Sequence, residues 1–409
     1  MDALDTLLSQ RPSTDRFTRA LELLEALPAP EREQALGRAM TALESWPDTT
    51  REAPAAAWQD IQQGLAPPFW WPLVRHLQLV EGDSLEVGSA LAPLTSVNAS
   101  QVNVEVSPLR EAHQLRVLDL TGNEAIERLD FLQETPRLER LVLSGLELLP
   151  DLSPLRALPA LRSLTLTFNP TLDDLTPLTS LKALRRLELS GNERLKDFGP
   201  LATLTELESL ALDDCVGLRD LSFLKALTKL SRLSARRIPL LGDLRPLADL
   251  RLQELSLGGD RLSHGAPLGS LTSLTRLVLM EVPRLEDLSF LASLPKLHTL
   301  HLSELSIAPP RLKAPSLEEL FISHCPQVLD LRALEALQAL KTLSLEDLPV
   351  KDLTPLAGLP QLERLALTRC PHIRDLSPLA RLPLRQLALI EPAQALDTSP
   401  LPPDCEVIR

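Results

Sequence analysis

Tyrosine is absent from this chain of 409 residues, and aromatic residues make up only 3% of it. So few rings cannot fill the interior of a large protein, so leucine has to form the core. Cysteine is scarce too: there are four, and three of them occupy equivalent positions of the repeat described below. That pattern does not indicate a disulfide framework, and it fits a reducing compartment.

Long apolar segments are also missing. Residues 1–5 show no basic segment followed by an apolar run, so we expect no signal peptide. No uninterrupted apolar stretch reaches transmembrane length. We therefore expect a cytoplasmic protein without membrane contact, and the bias toward Ala, Arg, Leu and Pro favours a GC-rich bacterial genome.

Positive charge is in deficit, with a formal net charge of −13. Nucleic-acid recognition usually leaves a basic patch, so this balance argues against a nucleic-acid partner and favours a protein partner. The sequence also lacks Gly-x-Gly-x-x-Gly, Gly-Lys-Ser/Thr, His-Glu-x-x-His and Gly-x-Ser-x-Gly. We expect no enzyme activity and no cofactor.

What the chain does contain is a repeat: variants of Leu-x-x-Leu-x-Leu-x-x-Asn/Cys followed by Asp-Leu-Ser-Pro-Leu recur thirteen times between Leu115 and Ile390. Successive units start 22 or 23 residues apart almost throughout. The spacing predicts an architecture in which no unit buries its own leucines and neighbouring units bury them together. The units start at Leu115, Leu138, Leu161, Leu184, Leu207, Leu230, Leu252, Leu274, Leu297, Leu317, Leu340, Leu362 and Leu384.

The unit that begins at Leu161 shows the expected local structure. Leu164 and Leu166 are two residues apart, so they share one face of a strand, and the residues between them face the other way. Thr176 is a good helix N-cap and Pro177 suits the first helical position, which predicts one 3₁₀-like turn. Stacked strands should pair as a parallel sheet.

These motifs give the chain its resemblance to leucine-rich repeat proteins. The Asp-Leu-Ser-Pro-Leu ending is most similar to the internalin subclass and to the phosphatase-regulating leucine-rich repeat proteins. The resemblance implies an α/β leucine-rich repeat solenoid, with a curved parallel sheet on the concave face and short 3₁₀ or helical turns on the convex face. It does not imply one function, because the subclass contains adhesins, enzyme regulators and scaffolds.

Four segments follow from these patterns. Residues 1–71 have helical periodicity, with helices expected at 14–27, from Pro30 onward and at 53–65, and we predict an N-terminal helical cap. Residues 72–114 are predicted to be degenerate repeats, with one strand at Leu77 and Leu79 and another at Val102 and Val104. Residues 115–390 are the thirteen repeats, and residues 391–409 are predicted to be a C-terminal cap that adds a terminal strand.

The buried faces of the first two helices are predicted from their apolar residues. The four tryptophans, all in residues 1–71, are interpreted as packing, with a second binding module as the alternative. The helices should bury Phe17, Leu21, Leu24 and Leu27, then Leu36, Met40 and Leu43, and the third should pass through Trp58 and Ile61.

Two polar columns have a structural interpretation. The recurrent Asp should bond backbone N–H groups of its own turn, since calcium loops concentrate several ligands in one loop and each unit here offers one. The Asn/Cys position should form a ladder of buried donors inside the coil. The columns are Asp151, Asp174, Asp197, Asp220, Asp243, Asp287, Asp330, Asp352 and Asp375, and Asn123, Asn169, Asn192, Cys215, Cys325 and Cys370. Cys405 falls outside the ladder.

The outward strand positions give the sharpest functional hypothesis, because packing does not dictate them. Apolar and aromatic side chains recur in successive units, and arginines cluster one to two units earlier, as protein interfaces often require. The alternative is that Arg–Glu neighbours, such as Arg186 with Glu188, only keep the sheet soluble. The predicted partner-binding residues are Arg232, Arg236, Arg237, Arg276, Val278, Met280, His301, Phe321 and His324.

A metal site is not expected. His301 and His324 should lie on the same face of adjacent coils, but two ligands are too few and no carboxylate pair is evident nearby. The preferred function is a non-catalytic protein–protein recognition module, a scaffold or adaptor that binds its partner on the concave face. The alternatives are a dedicated inhibitor or regulator of an enzyme (a protease, phosphatase, nuclease or toxin) and an enzyme activity hidden in residues 1–71.

Overall fold

The computed structural model describes residues 3–149, 151–306, 312–392 and 394–409. The chain divides into two compact units, an N-terminal unit, Met1–Glu188, and a C-terminal unit, Leu189–Arg409. Within each unit, the strands follow one another in chain order and pair in parallel, with short 3₁₀ turns between them. This confirms the predicted α/β repeat architecture. No helix of the described residues is long and apolar enough to cross a membrane.

The N-terminal unit begins with α-helices and continues with repeats. Its helices are α1 (Ala3–Leu8), α2 (Thr14–Glu25), α3 (Ala29–Leu43) and α4 (Ala55–Gln62). Its strands are β1 (His76–Gln78), β2 (Ser96–Asn98), β3 (Val117–Asp119), β4 (Arg140–Val142), β5 (Ser163–Thr165) and β6 (Arg186–Glu188). Its 3₁₀ turns are Asp48–Thr50, Trp71–Leu73, Gly88–Leu91, Ser107–Glu111, Asp130–Glu134, Ser153–Ala157 and Thr176–Ser180.

The C-terminal unit consists of repeats, and its strands lengthen from three residues in β7 to five in β9–β15. Its strands are β7 (Ser209–Ala211), β8 (Arg232–Ala235), β9 (Glu254–Gly258), β10 (Arg276–Met280), β11 (Thr299–Ser303), β12 (Glu319–Ser323), β13 (Thr342–Glu346), β14 (Arg364–Thr368), β15 (Gln386–Ile390) and β16 (Glu406–Ile408). Its 3₁₀ turns are Gly199–Thr203, Ser222–Ala226, Arg245–Leu247, Ala266–Ser270, Ser289–Ser293, Arg332–Leu334, Thr354–Gly358 and Ser377–Leu379.

The leucines of each repeat form the core, as the spacing predicts. Leu161, Leu164 and Leu166 are fully buried, while Ser163 and Thr165 between them point outward and are half-buried. Each buried leucine contributes roughly 2 kcal/mol through the hydrophobic effect, and neighbouring coils supply the contacts that a single coil lacks. We call the side of the sheet that carries these intervening residues the outward strand face.

The turns follow the Ser/Thr-Pro signature, with one correction. Thr176–Ser180 is a 3₁₀ turn with Pro177 near its start, as predicted. Thr176 does not cap it with its side chain. Asp174 takes that role instead, because its carboxylate accepts the Thr176 backbone N–H at 2.8 Å.

The predicted N-terminal helices are present, and α1 is an addition that the periodicity did not reveal. Phe17, Leu21 and Leu24 are buried on α2 and Leu43 on α3, whereas Leu27 and Leu36 are only half-buried. Met40 was placed wrongly: it is 45% exposed, because α3 turns Ala35 and Ala39 inward instead. The third predicted helix is α4, with Trp58 and Ile61 buried.

All four tryptophans are buried, and three of them form one cluster. The rings of Trp58 and Trp71 stack with their centroids 6.3 Å apart, and Trp70 packs against Trp71 at the same distance.

Buried Arg51 donates to the carbonyl of Leu73 at 2.9 Å. Burial and the neighbouring Arg75 lower the pKa of Arg51 to about 10. The helical segment is thereby tied to the start of the repeats.

One predicted strand is wrong and another is present. Leu77 lies in β1, but β2 is Ser96–Asn98, so Val102 and Val104 are outside any strand. Those two valines are buried within the coil that follows β2. At the other end, β16 pairs in parallel with β15, as the predicted terminal strand should. The prolines of the Ala308-Pro309-Pro310-Arg311 segment predict an extended turn side without a regular helix, and this segment lies outside the described residues.

Candidate functional site

The strand register brings part of the predicted patch together. Val278 in β10, His301 in β11 and Phe321 in β12 are direct cross-strand partners, so the three side chains form one row on the outward strand face. Met280 follows Val278 on the same face of β10. We call these four residues the apolar row.

An aromatic stack lies at the centre of the apolar row. The rings of His301 and Phe321 are 4.1 Å apart between centroids and inclined by 16°. Both side chains are half-buried, and Val278 beside them is 9% exposed. Burial and the nearby Arg276 guanidinium lower the pKa of His301, against a smaller opposite effect of Glu319. At neutral pH His301 is therefore an uncharged aromatic surface.

Two of the predicted arginines are available for a partner. Arg276 lies at the start of β10, next to the apolar row, and Arg232 lies two strands away, with Glu254 between them in register. Among the described residues, neither guanidinium forms a hydrogen bond or an ion pair. Their charge is therefore unpaired on the outward strand face.

The other two predicted arginines form ion pairs within the chain. Arg236 donates from Nε and Nη2 to Asp213 Oδ2 at 2.9 and 2.6 Å. Arg237 donates to the two oxygens of Asp214 at 2.6 and 2.5 Å. The Arg237 hydrogen bonds hold the pKa of the Asp214 carboxyl below its usual range. Each of these two arginines forms an ion pair with the preceding coil.

His324 belongs to a different cluster from His301. Its Nε2 lies 2.9 Å from Asp347 Oδ2, and Glu346 lies close by, so the expected lack of a carboxylate pair is wrong. Arg369 donates to Asp347 at 2.7–3.0 Å and also to Glu346. Because a guanidinium bridges both carboxylates, we assign this cluster to an ion-pair network across three coils.

A column of residues with a left-handed backbone conformation was not predicted from the sequence. The residue just before the Asn/Cys position has a positive φ in nearly every repeat, a conformation that favours glycine. Recurrent glycine at that position would have predicted the conformation, because Gly122, Gly145 and Gly191 occupy it in three repeats. In the C-terminal unit the column begins with Gly191 and then consists of charged residues or histidine: Asp214, Arg237, Glu281, Glu304, His324, Asp347, Arg369 and Glu391.

The Asp column serves the turns, as predicted. Each of the nine carboxylates accepts the backbone N–H of the residue two positions later, at 2.8–2.9 Å. Asp397 makes the same bond to Ser399 and extends the column by one position that we did not predict. Charge-assisted hydrogen bonds of this kind stabilise the start of each 3₁₀ turn.

The Asn/Cys column is the predicted ladder of buried donors. Asn169 donates from Nδ2 to the carbonyl of Leu143 at 2.7 Å, and its Oδ1 accepts the Leu146 N–H at 2.9 Å. Cys215 donates its thiol to the Leu189 carbonyl at 3.2 Å. Burial raises the pKa of the Cys215 thiol to about 12, so it stays protonated and can donate.

Solved structures similar to this chain are themselves repeat proteins. An internalin of Listeria monocytogenes, InlF, is 26% identical, with a TM-score of 0.57; the match covers 81% of this chain and 93% of the internalin. A leucine-rich repeat protein of Leptospira interrogans is 20% identical, with a TM-score of 0.64, covering 87% and 98%.

A third similar structure is a complex of the receptor TLR13 with single-stranded RNA. It is 18% identical, with a TM-score of 0.54, covering 88% of this chain and 55% of the receptor. No protein-family model matches the chain, and no curated protein matches it in sequence. What all three structures share with this chain is the repeat architecture.

Proposed function

We propose that this chain, a leucine-rich repeat protein with an internalin-like fold, is a non-catalytic module that recognises a protein partner through the outward strand face of its C-terminal unit. The His301–Phe321 stack is the observation that carries the proposal. Packing of the core does not require apolar or aromatic side chains on that face, yet three adjacent strands present them in one row. Apolar rows of this kind are typical of interface centres.

The mechanism we propose is docking onto a preformed surface. The strands hold the apolar row in place before binding, which reduces the ordering cost of association. Arg276 and Arg232 have no internal partner among the described residues and are suited to bind carboxylates of the partner. The proposed contact does not include Arg236, Arg237 or His324. Their side chains already form ion pairs within the chain, with Asp213, Asp214 and Asp347 respectively.

A protein is preferred to a nucleic acid as the partner on grounds of charge. The similar structure with single-stranded RNA means that this fold is compatible with RNA binding. Here, however, the formal net charge is −13. Glu254 and Glu319 also occupy the same outward row as Arg276. Phosphates would be repelled by these carboxylates, whereas a mixed protein surface would not.

We place this recognition in the cytoplasm. Cys215 is a buried free thiol that serves as a hydrogen-bond donor inside the coil, and Cys325 and Cys370 occupy the same column. A donor role of this kind needs the reduced thiol, which a reducing compartment preserves.

The test is affinity capture followed by cross-linking and mass spectrometry, comparing the wild-type chain with Phe321→Ala/Arg276→Ala. The expected result is that one or more proteins are captured by the wild type, cross-link near the apolar row and are lost from the double variant. Arg186→Ala/Thr165→Ala, on the outward face of the N-terminal unit, is the matched control and should retain them. Equal capture by the Phe321→Ala/Arg276→Ala variant, or capture of RNA that nuclease removes, would contradict the proposal.

A further inference from the structure

Phe168 occupies a backbone position where a large side chain is unfavourable. It has a φ of +55°, and 64% of its surface is exposed. The equivalent residues of the two preceding coils are Gly122 and Gly145, with φ values of +65° and +67°. Glycine adopts this conformation freely, whereas other residues are strained in it. Neither the turn nor the core therefore explains why an aromatic residue stands here.

A second exposed apolar residue lies on the adjacent coil. Leu148 is 81% exposed. On either side of it, Leu146 donates its N–H to Asn169 Oδ1 at 2.9 Å, and Leu149 donates its N–H to Thr171 Oγ1 at 3.2 Å. The segment that holds Leu148 therefore runs alongside the segment that follows Phe168. We call this surface the Leu148–Phe168 edge.

Carboxylates lie in a pocket beside Leu149, the residue that follows Leu148. A pocket of about 200 Å³ is lined by Leu149 and Thr171 together with Asp151, Asp173 and Asp174. Asp151 and Asp174 accept the N–H groups of their turns, so part of their hydrogen-bonding capacity is used.

Asp173 in this pocket and Glu147, the residue before Leu148, have no internal partner among the described residues. Within the ranges that the structure describes, Glu147 and Asp173 form neither a hydrogen bond nor an ion pair. Arg156 lies close enough to contribute to lowering the pKa of Asp151 and of Asp174. Asp151, Asp173 and Asp174 bring three carboxylates to one pocket beside Leu149, so this surface is rich in negative charge.

We infer that the Leu148–Phe168 edge binds a segment of a partner protein in which an apolar side chain stands close to lysine or arginine. The apolar side chain would cover Phe168 and Leu148, and the cation would meet the carboxylates of Asp173 and its neighbours. A membrane surface is disfavoured, because the same carboxylates would be repelled by anionic lipid headgroups.

This edge belongs to the N-terminal unit and does not depend on the apolar row of the C-terminal unit. The two proposals therefore fail separately. Loss of binding in Phe321→Ala/Arg276→Ala tests the apolar row, whereas the variants below leave that row unchanged.

The experiment is selection of a phage-displayed library of random 12-residue peptides on the wild-type protein, with depletion on Phe168→Gly/Asp173→Asn. Selected peptides should contain leucine or an aromatic residue within a few positions of lysine or arginine. Their affinity should fall about tenfold in Phe168→Gly and about threefold in Asp173→Asn, and it should fall with added salt. Leu329→Ala, which removes a 64% exposed leucine of the C-terminal unit, is the control and should bind as the wild type.

Phe168→Gly also separates recognition from folding. Because glycine relieves the left-handed strain, its melting temperature should stay within ~2 °C of the wild type or rise slightly. A large drop would show that Phe168 stabilises the fold instead. The inference is overturned if no peptide distinguishes the two proteins, if acidic peptides are selected, or if Phe168→Gly binds as tightly as the wild type.

Discussion

The Arg236 guanidinium lies 2.6 Å from the Asp213 carboxylate of the preceding coil, and the Arg236 backbone N–H donates to the same carboxylate at 2.8 Å. Asp213 is 7% exposed, so its charge depends on these donors and on the Ser234 hydroxyl. The pair stabilises the stacking of two coils, and it leaves little of either group for a partner.

Arg236→Ala should therefore destabilise the C-terminal unit by about 1–3 kcal/mol, because it removes donors from a buried carboxylate. Arg232→Ala, in the same coil but without an internal partner, is the control and should change stability by less than about 0.5 kcal/mol. Denaturant titrations of the two variants measure the difference. Equal midpoints would contradict the bracing role of Arg236.

Native thiol reactivity should single out Cys405. Cys215, Cys325 and Cys370 are buried, and burial raises the pKa of each thiol, to about 12 for Cys215. Only Cys405 is partly accessible, although desolvation raises its pKa as well. Because thiolates are the reactive species, we expect one thiol per chain to react with a maleimide in the native state and four in denaturant.

Cys405→Ser should abolish the native reaction and leave three thiols in denaturant. Reaction of any thiol in the folded variant would show that the ladder is more open than the structure indicates.

Thermal stability should fall as the pH drops below about 6.5, the ordinary pKa of histidine. The pKa values of His76 and His301 are lowered, in both cases mainly by burial. Between its lowered pKa and the ordinary value, each histidine binds more protons in the unfolded chain than in the folded one. Their contribution is therefore complete above the ordinary pKa and is lost progressively as the pH falls from that value through the lowered pKa of the folded state.

Melting temperatures at pH 7.5 and 5.0 measure this effect. His301→Phe keeps the stack with Phe321 and removes the titrating group, and His76→Gln keeps a polar contact toward Ser96. The double variant should lose less stability on acidification than the wild type. An unchanged pH dependence would contradict the assignment.

Each Asp of the column should stabilise its own 3₁₀ turn independently of the others. Asp375→Ala removes the acceptor of the Ser377 N–H and should lower the midpoint of denaturant unfolding, as loss of a cap does. Asp375→Asn keeps a carbonyl acceptor and should cost less. Denaturant titrations compare the two, and equal losses would show that the N–H bond is unimportant.

Acid should remove the same contribution. Hydrogen bonds from Ser377 lower the pKa of Asp375, so its stabilising effect is present above the ordinary pKa of aspartate, about 3.9, and is lost as the pH falls below it. The stability difference between Asp375→Ala and the wild type should therefore shrink as the pH falls below about 3.9.

The repeat made most of the fold predictable. Each unit start is followed by a strand two residues later, since the Leu-x-x-Leu-x-Leu spacing specifies both the strand and its buried face. β2 was misplaced, because residues 72–114 retain too little of the motif for the spacing to locate the strand. The buried faces of the helices were harder to predict than the strands. α3 buries small alanines, and alanines give only a weak periodic pattern of hydrophobicity.

The candidate site was only partly predictable. Cross-strand rows follow directly from the unit length, which is why Val278, His301 and Phe321 could be grouped. The Asp213–Arg236 pair was missed although its two members occupy the same position of successive units. A long charged side chain can form an ion pair with the adjacent coil as easily as with a partner protein. The sequence alone does not tell which of these two contacts it makes.

The lengthening of the strands has a geometric consequence. A three-residue strand turns two side chains outward, whereas the five-residue strands β9–β15 turn three. Their first and fifth positions are roughly 13 Å apart along the strand. An α-helix with its side chains is about 10–12 Å in diameter, so the later coils offer a platform broad enough to seat a helix lying across the strands.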